Sequence, residues 1–316
     1  MADSEYHEVD GFYLSKSFPV ESVRSALGYK AQPGDLFIVS YPKCGTTWMQ
    51  HIVYNIINNQ PPPRSVLASM IEMPFLEAQG AEAVEDMRRP GPIKTHMSFR
   101  FQPYCSDSKY IYVTRNPYDC CVSFFYHTRD MPDYHFQDGT FDQFYEMFLE
   151  GKVDFGDYFD HLLSWYEHRN DPNVLFVTYE QLKKDTRSWV LKVADFIGEE
   201  FGQKLRSDES RLKNVLQNIS VKTMKGCIND SMKNITDRVQ SLSGKKLPKW
   251  AELMKETVGP DCWEKPMTGD FIRKGVVGDW RNHFSDDQVK RLQHKIEERT
   301  RGSGVMSLWK DTDIPK

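Results

Sequence analysis

Three strand-then-helix segments, strands that are almost wholly apolar, and the lack of any internal repeat predict an α/β fold for this 316-residue chain. The expected architecture is a three-layer sandwich around a central parallel sheet. The first segment runs from Asp35 to Pro42 (DLFIVSYP) and continues into a helical stretch from about Thr46 to Asn58. The second runs from Lys109 to Pro117 (KYIYVTRNP) and continues into a helix through about His127. The third runs from Asn173 to Glu180 (NVLFVTYE), with a helix from about Asp185 to Ile197. A strand covered on both faces reads as a near-continuous apolar run, because side chains on both of its faces must avoid water. The stretch from about Ser207 to Pro266 is rich in Lys, Asn, Ser and Asp with weak periodicity; it reads as an irregular cover with short helices. A last amphipathic helix is expected from about Ser285 to Arg299. The length suits one domain spanning residues 1–316.

Composition narrows the partners. Hydrophobic residues at 39% and charged residues at 27% place the chain among ordinary globular proteins. A net charge of -4 argues against a nucleic-acid partner, which needs a broad basic field, but leaves room for a local basic pocket. The N-terminal MADSEYHEVDG is acidic and lacks the apolar core of a signal peptide, and no stretch of about 18 apolar residues occurs. No membrane partner and a cytoplasmic location are therefore expected. The six cysteines (Cys44, Cys105, Cys120, Cys121, Cys227 and Cys262) fit no zinc spacing and are expected as free thiols. The sequons at Asn218, Asn229 and Asn234 are expected to stay unmodified.

The strongest motif is Tyr41-Pro42-Lys43-Cys44-Gly45-Thr46-Thr47-Trp48, where a strand ends and a helix begins. Free N–H groups and the helix dipole favour an anion at such a place. Gly45 permits close backbone approach, Thr46 and Thr47 add hydroxyls, and Lys43 adds charge. A Walker A loop places its lysine directly after the last glycine; here Gly45 is followed by Thr46 and Lys43 precedes it. That displacement counts against a P-loop phosphotransferase such as a nucleotide kinase, the alternative reading. A second site is Arg115-Asn116-Pro117, with Asn116 as N-cap, Pro117 at the first helical position and Arg115 at a strand's carboxyl end. There a guanidinium can take a phosphate with two prongs. A third is Phe271 to Trp280 (FIRKGVVGDW), where Arg273 and Lys274 flank Gly275.

Together these strings resemble the cytosolic sulfotransferase family over about residues 34–284. YPKCGTTW is similar to the family's YPKSGTTW loop, with Cys44 where serine is usual; the RNP segment with Ser123 eight residues on resembles its 3'-phosphate site; RKGVVGDW resembles its C-terminal signature. The resemblance implies a P-loop-like nucleotide fold binding 3'-phosphoadenosine 5'-phosphosulfate (PAPS), with adenosine 3',5'-bisphosphate (PAP) as product and no metal. It assigns Lys43, Cys44, Gly45, Thr46 and Thr47 to the 5'-phosphosulfate, and Arg115, Ser123, Arg273, Lys274 and Gly275 to the 3'-phosphate. Trp48 and Tyr179 are assigned to adenine. The family's downstream adenine contacts, a Thr or Ser and a Phe, align with Ile219, Ser220 and Val221, which puts that side in doubt.

The string Pro92-Ile93-Lys94-Thr95-His96 reads as a short strand with Lys94 and His96 on one face. It resembles the family's KxH motif, which implies His96 as catalytic base, Lys43 as stabiliser of the leaving oxygen and Lys94 as an aid. The resemblance also implies that Ser123 holds Lys43 before the acceptor arrives. The expected reaction is in-line transfer of a sulfonate to a hydroxyl or amine of a small acceptor. Phe12, Phe75, Phe99, Phe101, Phe124 and Phe125 are candidate walls of an apolar slot. Asp130 or Asp133 could pair with the ammonium of a phenolic amine; equally, both could be solvated, with Asp130 paired to Arg129. A homodimer is a further implication, although the family's KxxxTV motif is degenerate here, as Arg281-Asn282-His283-Phe284-Ser285-Asp286.

Overall fold

The computed structural model describes residues 5–233 and 247–315. It opens with a hairpin absent from the sequence-based expectation: β1 (Tyr6–Val9) pairs antiparallel with β2 (Phe12–Ser15). Asp10 and Gly11 both take positive φ (52° and 82°), as a two-residue turn of matching twist requires. The Asp-Gly dipeptide was the available signal.

The central sheet is parallel, in the order β4–β3–β5–β6, formed by β3 (Leu36–Val39), β4 (Pro92–Thr95), β5 (Lys109–Thr114) and β6 (Val174–Thr178). Its apolar runs are explained by two cores. Phe37 and Val39 of β3 and Tyr110 and Tyr112 of β5 face one core; Leu36, Ile38, Ile111 and Val113 face the other. The first core is aromatic, with Phe37 stacked on Tyr110 at 5.1 Å and Tyr112 on Trp165 at 5.3 Å. The second is aliphatic, where Met49, Ile52 and Val53 of the helix Thr46–Asn58 meet Val190 and Val193 of the helix Thr186–Ile197. Burying each such side chain contributes about 1.5–3 kcal/mol. All three predicted strand-helix pairs are present, and the parallel strands direct their carboxyl ends to one edge of the sheet.

The cover differs from expectation. Among the described residues it is mainly helical: Glu209–Asn218 capped by Asp208, Val221–Met224 capped by Ser220, a π turn Lys225–Asn229, and Lys249–Glu264, interrupted where Gly259 turns to φ 74°. Pieces of 10 and 4 residues are too short to show a periodic signal in sequence. Asn218 bonds Asn55, and Asn229 holds both polar backbone groups of Ile272, so these two sequon amides are engaged in the fold. Asn234 lies outside the described residues. The C-terminal helix Asp286–Arg299 begins at a Ser285/Gln288 capping box. The degenerate dimer string is thereby folded into a turn and a helix start, with Phe284 packed on Tyr118 and Tyr145.

Candidate active site

The first two motifs and the Lys94–His96 string sit at the carboxyl ends of β3, β5 and β4, the RKGVVGDW segment follows a helix, and all of them converge on one cavity. After β3 the chain turns through Lys43 (φ 65°) and Gly45 (φ 113°) into the helix Thr46–Asn58. A Cβ at Gly45 would lie 3.1 Å from the Tyr179 ring, so glycine is needed for space as well as for φ. Thr46 and Thr47 line the cavity, and their N–H groups belong to the first helical turn, which has no intrahelical acceptor. The Thr46 hydroxyl is bonded to that of Ser40. Cys44 departs from its assigned role. Its thiol is buried 3.6 Å from Cys120 Sγ, away from the cavity lining, and burial pushes it well above the ordinary thiol range. It packs the loop onto the core.

After β5, Asn116 caps the helix Pro117–Asp130 by accepting from Asp119 N–H at 2.9 Å, with Pro117 in the first turn. Arg115 and Ser123 both reach the cavity. The Arg115 guanidinium donates to the Val276 carbonyl at 2.9 Å and lies over the Tyr179 ring at 4.5 Å, while its buried Nε has no partner. Asp119, which sequence reading did not single out, accepts from Gly278 N–H (2.7 Å) and Trp280 N–H (3.1 Å). It thereby ties the RKGVVGDW segment to the second strand-helix turn. Within that segment Arg273 and Lys274 both bond Asp279, Lys274 at 2.6 Å. A Cβ at Gly275, where φ is 66°, would meet Val221 at 2.9 Å. Trp48 lies 5.4 Å from Tyr179, and its indole N–H donates to the Ile219 carbonyl at 3.0 Å. Ile219 and Val221 line the same cavity, filling with aliphatic carbon the side where the motif departs from its family.

Lys94 and His96 share the cavity as the strand alternation required. His96 Nδ1 lies 2.7 Å from the Ser40 carbonyl. A carbonyl only accepts, so Nδ1 carries the proton and Nε2 keeps a free lone pair. The ring sits between Phe75 (5.3 Å) and Phe155 (5.0 Å); burial, then Lys94, hold it well below the ordinary histidine range. Its backbone is fixed from both sides. His96 N–H donates to Glu77 at 2.5 Å, and its carbonyl accepts from His161 Nε2 at 3.1 Å. Tyr112 in turn bonds His161 Nδ1 at 3.0 Å. Lys43 Nζ lies 3.9 Å from the centre of the Phe271 ring, not on Ser123, and Lys94 Nζ lies 3.9 Å from that of Phe75. Burial, aided by neighbouring cations, brings Lys43 down to about 7, and burial brings Lys94 to about 8.

The apolar walls correct the expected set. Of the six phenylalanines, Phe75 alone lines the cavity; Phe12, Phe99, Phe101, Phe124 and Phe125 pack in or against the aromatic core. The other aromatic walls are Phe18, Tyr134, Phe155 and Phe271. Phe155 (φ 67°) donates its N–H to the Tyr13 carbonyl at 3.0 Å, and buried Asp154 takes Ser15 N–H and the Tyr134 hydroxyl. The N-terminal hairpin therefore braces this wall, a long-range contact with no local signal. Asp130 is paired with Arg129 at 2.8 Å, and neither it nor Asp133 lines the cavity. Among the described residues no Asp or Glu does, whereas three lysines and two arginines do. Among the described residues no cluster of three or more His, Cys, Asp or Glu could hold a metal ion, and no helix is long and apolar enough to cross a membrane.

A family model described as the sulfotransferase domain matches residues 33–304. The chain belongs to the sulfotransferase family. Sulfotransferase 1C2 of Homo sapiens is 31% identical over 308 residues, covering 94% of this chain and 93% of that protein. Sulfotransferase 1E1 of Homo sapiens is 31% identical over 311 residues, with 95% and 94% covered. Among solved structures, mouse sulfotransferase SULT7A1 complexed with PAP has a TM-score of 0.71 at 28% identity, covering 97% of this chain and 98% of its own. Retinol dehydratase in complex with androsterone and PAP has a TM-score of 0.70 at 21% identity, covering 97% of this chain and 89% of its own; it shares the fold. The sulfotransferase fold expected from three motifs is the one found, and the family model extends over residues 33–304.

Proposed function

We propose that this sulfotransferase moves a sulfonate group from PAPS to a hydroxyl of a small aromatic acceptor, with His96 as general base. The observation that carries the reading is the His96 tautomer: Nδ1–H committed to Ser40 and a free Nε2 beside Lys43 and Lys94, within one cavity. The donor's negative charge fits a lining with five Lys and Arg side chains and no carboxylate, and the buried, unpartnered Arg115 Nε fits a phosphate oxygen. Thr46, Thr47, Lys43 and the loop N–H groups would hold the 5' end. Arg115, Ser123, Arg273, Lys274 and Gly275 would hold the 3'-phosphate, and Trp48 with Tyr179 the adenine.

PAPS supplies the sulfonate and leaves as PAP. His96 takes the acceptor hydroxyl's proton at Nε2. Lys43 supplies positive charge at the loop where negative charge accumulates, and Lys94 adds to it. The rings of Phe75 and Phe155 exclude water from the imidazole and keep it neutral, the form a base needs. With no carboxylate in the lining, the acceptor is an uncharged phenol in preference to a phenolic amine. The test is an acceptor screen with sulfur-labelled PAPS across phenols, amines, steroids and alcohols, alongside labelled ATP. Labelled phenol sulfates are expected; phosphate transfer from ATP without sulfonation would overturn the reading in favour of a phosphotransferase.

A further inference from the structure

One polar group of the cavity has no task in this chemistry. His127 stands one helical turn beyond Ser123 on the helix Pro117–Asp130 and lines the same cavity. Its ring lies edge-on to Tyr134 and to Phe271, each at 5.7 Å between ring centres. Nδ1 is sealed from solvent and has no hydrogen-bond partner, and no described residue bonds Nε2. Every other base here is accounted for: His96 by Ser40, Lys43 by Phe271 and Lys94 by Phe75. A buried polar atom left unpaired is costly, and in a ligand pocket the missing partner belongs to the ligand. Burial first, then Lys43, Lys94 and His96, hold the ring well below the ordinary histidine range.

We propose that His127 is a specificity-determining residue that reads a second hydroxyl on the acceptor, so that small dihydroxyaryl compounds are preferred over their monohydroxy counterparts. The inference rests on the cavity being the acceptor site. A neutral imidazole offers one donor and one acceptor nitrogen, and a hydroxyl is the group that answers either. An ammonium at this place would face two lysines and no lining carboxylate. A carboxylate would be drawn to Lys43 and Lys94 and not to the neutral ring, which the hydroxynaphthoate arm of the test distinguishes. The aryl body finds its walls in Phe75, Phe155 and Phe271, with one hydroxyl at His96 and the other at His127.

The test measures kcat/KM with labelled PAPS for 2-naphthol, a series of dihydroxynaphthalenes with the second hydroxyl walked around the rings, and a hydroxynaphthoate. It uses wild type, His127→Phe and His127→Gln. In wild type at least one diol is expected to exceed 2-naphthol by about 10-fold, and in His127→Phe that preference should fall below about 2-fold. His127→Gln, which keeps a hydrogen-bonding group of different reach, should prefer a different isomer. Calorimetric binding of PAP identifies folded variants; should His127→Phe not fold, an unchanged isomer order in His127→Gln overturns the proposal. So does a wild type without diol preference, a preference that survives in His127→Phe, or a hydroxynaphthoate better than every diol. A wild type that sulfonates nothing overturns the enzymatic reading and this proposal together.

Discussion

At the donor end of the cavity Arg273 and Lys274 share the Asp279 carboxylate, and Arg115 rests on the Val276 carbonyl with Asp119 4.0 Å away. At the transfer end Lys43 and Lys94 lie over the rings of Phe271 and Phe75, and neither forms an ion pair among the described residues. In the first arrangement each cation has an oxygen to rest on, and Asp279 is held well below the carboxylate range by Lys274, Asn282 and Arg273, against the opposing effect of its own burial. In the second, burial outweighs the opposing pull of Glu77 on Lys94 and of Asp130 on Lys43, which brings lysine within reach of neutral pH and keeps His96 unprotonated. Phosphate binding calls for permanent charge, whereas proton transfer and developing charge call for groups that titrate near the working pH. On the proposed reaction one cavity would supply both by changing what its cations lean on.

The comparison is broken most severely by removing the base. His96→Ala should lower turnover by roughly 10²–10⁴ while PAP still binds. Near-normal turnover in the folded variant would take His96 out of the chemistry. Lys43→Met should cost on the order of 10² in turnover, again with product nucleotide retained. At the donor end the loss should fall on binding instead. Arg115→Ala should cost about 1.5–3 kcal/mol of PAP affinity, measured by calorimetry, and hardly affect adenosine 5'-monophosphate. Equal losses for the two nucleotides would place Arg115 elsewhere than at the 3'-phosphate.

The smallest effect sharpens the contrast through pH. Lys43, at about 7 in the free protein, is charged below that pH and loses its charge above it. The donor's kcat/KM should therefore fall as pH rises through about 7 to 8. His96 is already neutral at pH 6.5, so no acidic limb is expected there. A profile governed by an acidic limb at 6.5 would show that the imidazole is solvated and that the aromatic enclosure does not control it.

The difference between the two ends also separates what was legible early. The turns at the proposed donor end were legible as cavity-lining segments, because each of their parts is local. A Lys-Cys-Gly-Thr-Thr turn, an Arg-Asn-Pro helix start and an Arg-Lys-Gly string carry their geometry within a few residues, and strand patterning places the first two at strand ends. Cys44 was the exception, since the string does not say that its thiol turns inward to Cys120. The acceptor end was read through His96 and Lys94, whose shared face follows from strand alternation, and through Phe75. Its remaining walls were not.

The sequence by itself determined the parallel sheet, the strand-helix turns and the cationic turns that line the cavity, because apolar periodicity and turn chemistry act over short stretches of chain. The tertiary structure alone decided which aromatic rings face the cavity. Phe124 and Phe125 stand beside Ser123 yet pack inward, whereas Phe18, Phe155 and Phe271 come from distant segments to the cavity. Apolar character drives a ring out of water without saying whether a core or a ligand will cover it. The same long-range packing assigned Asp154 to the hairpin and an unpartnered His127 to the cavity: such placements depend on which segments meet, and nothing along the chain records it.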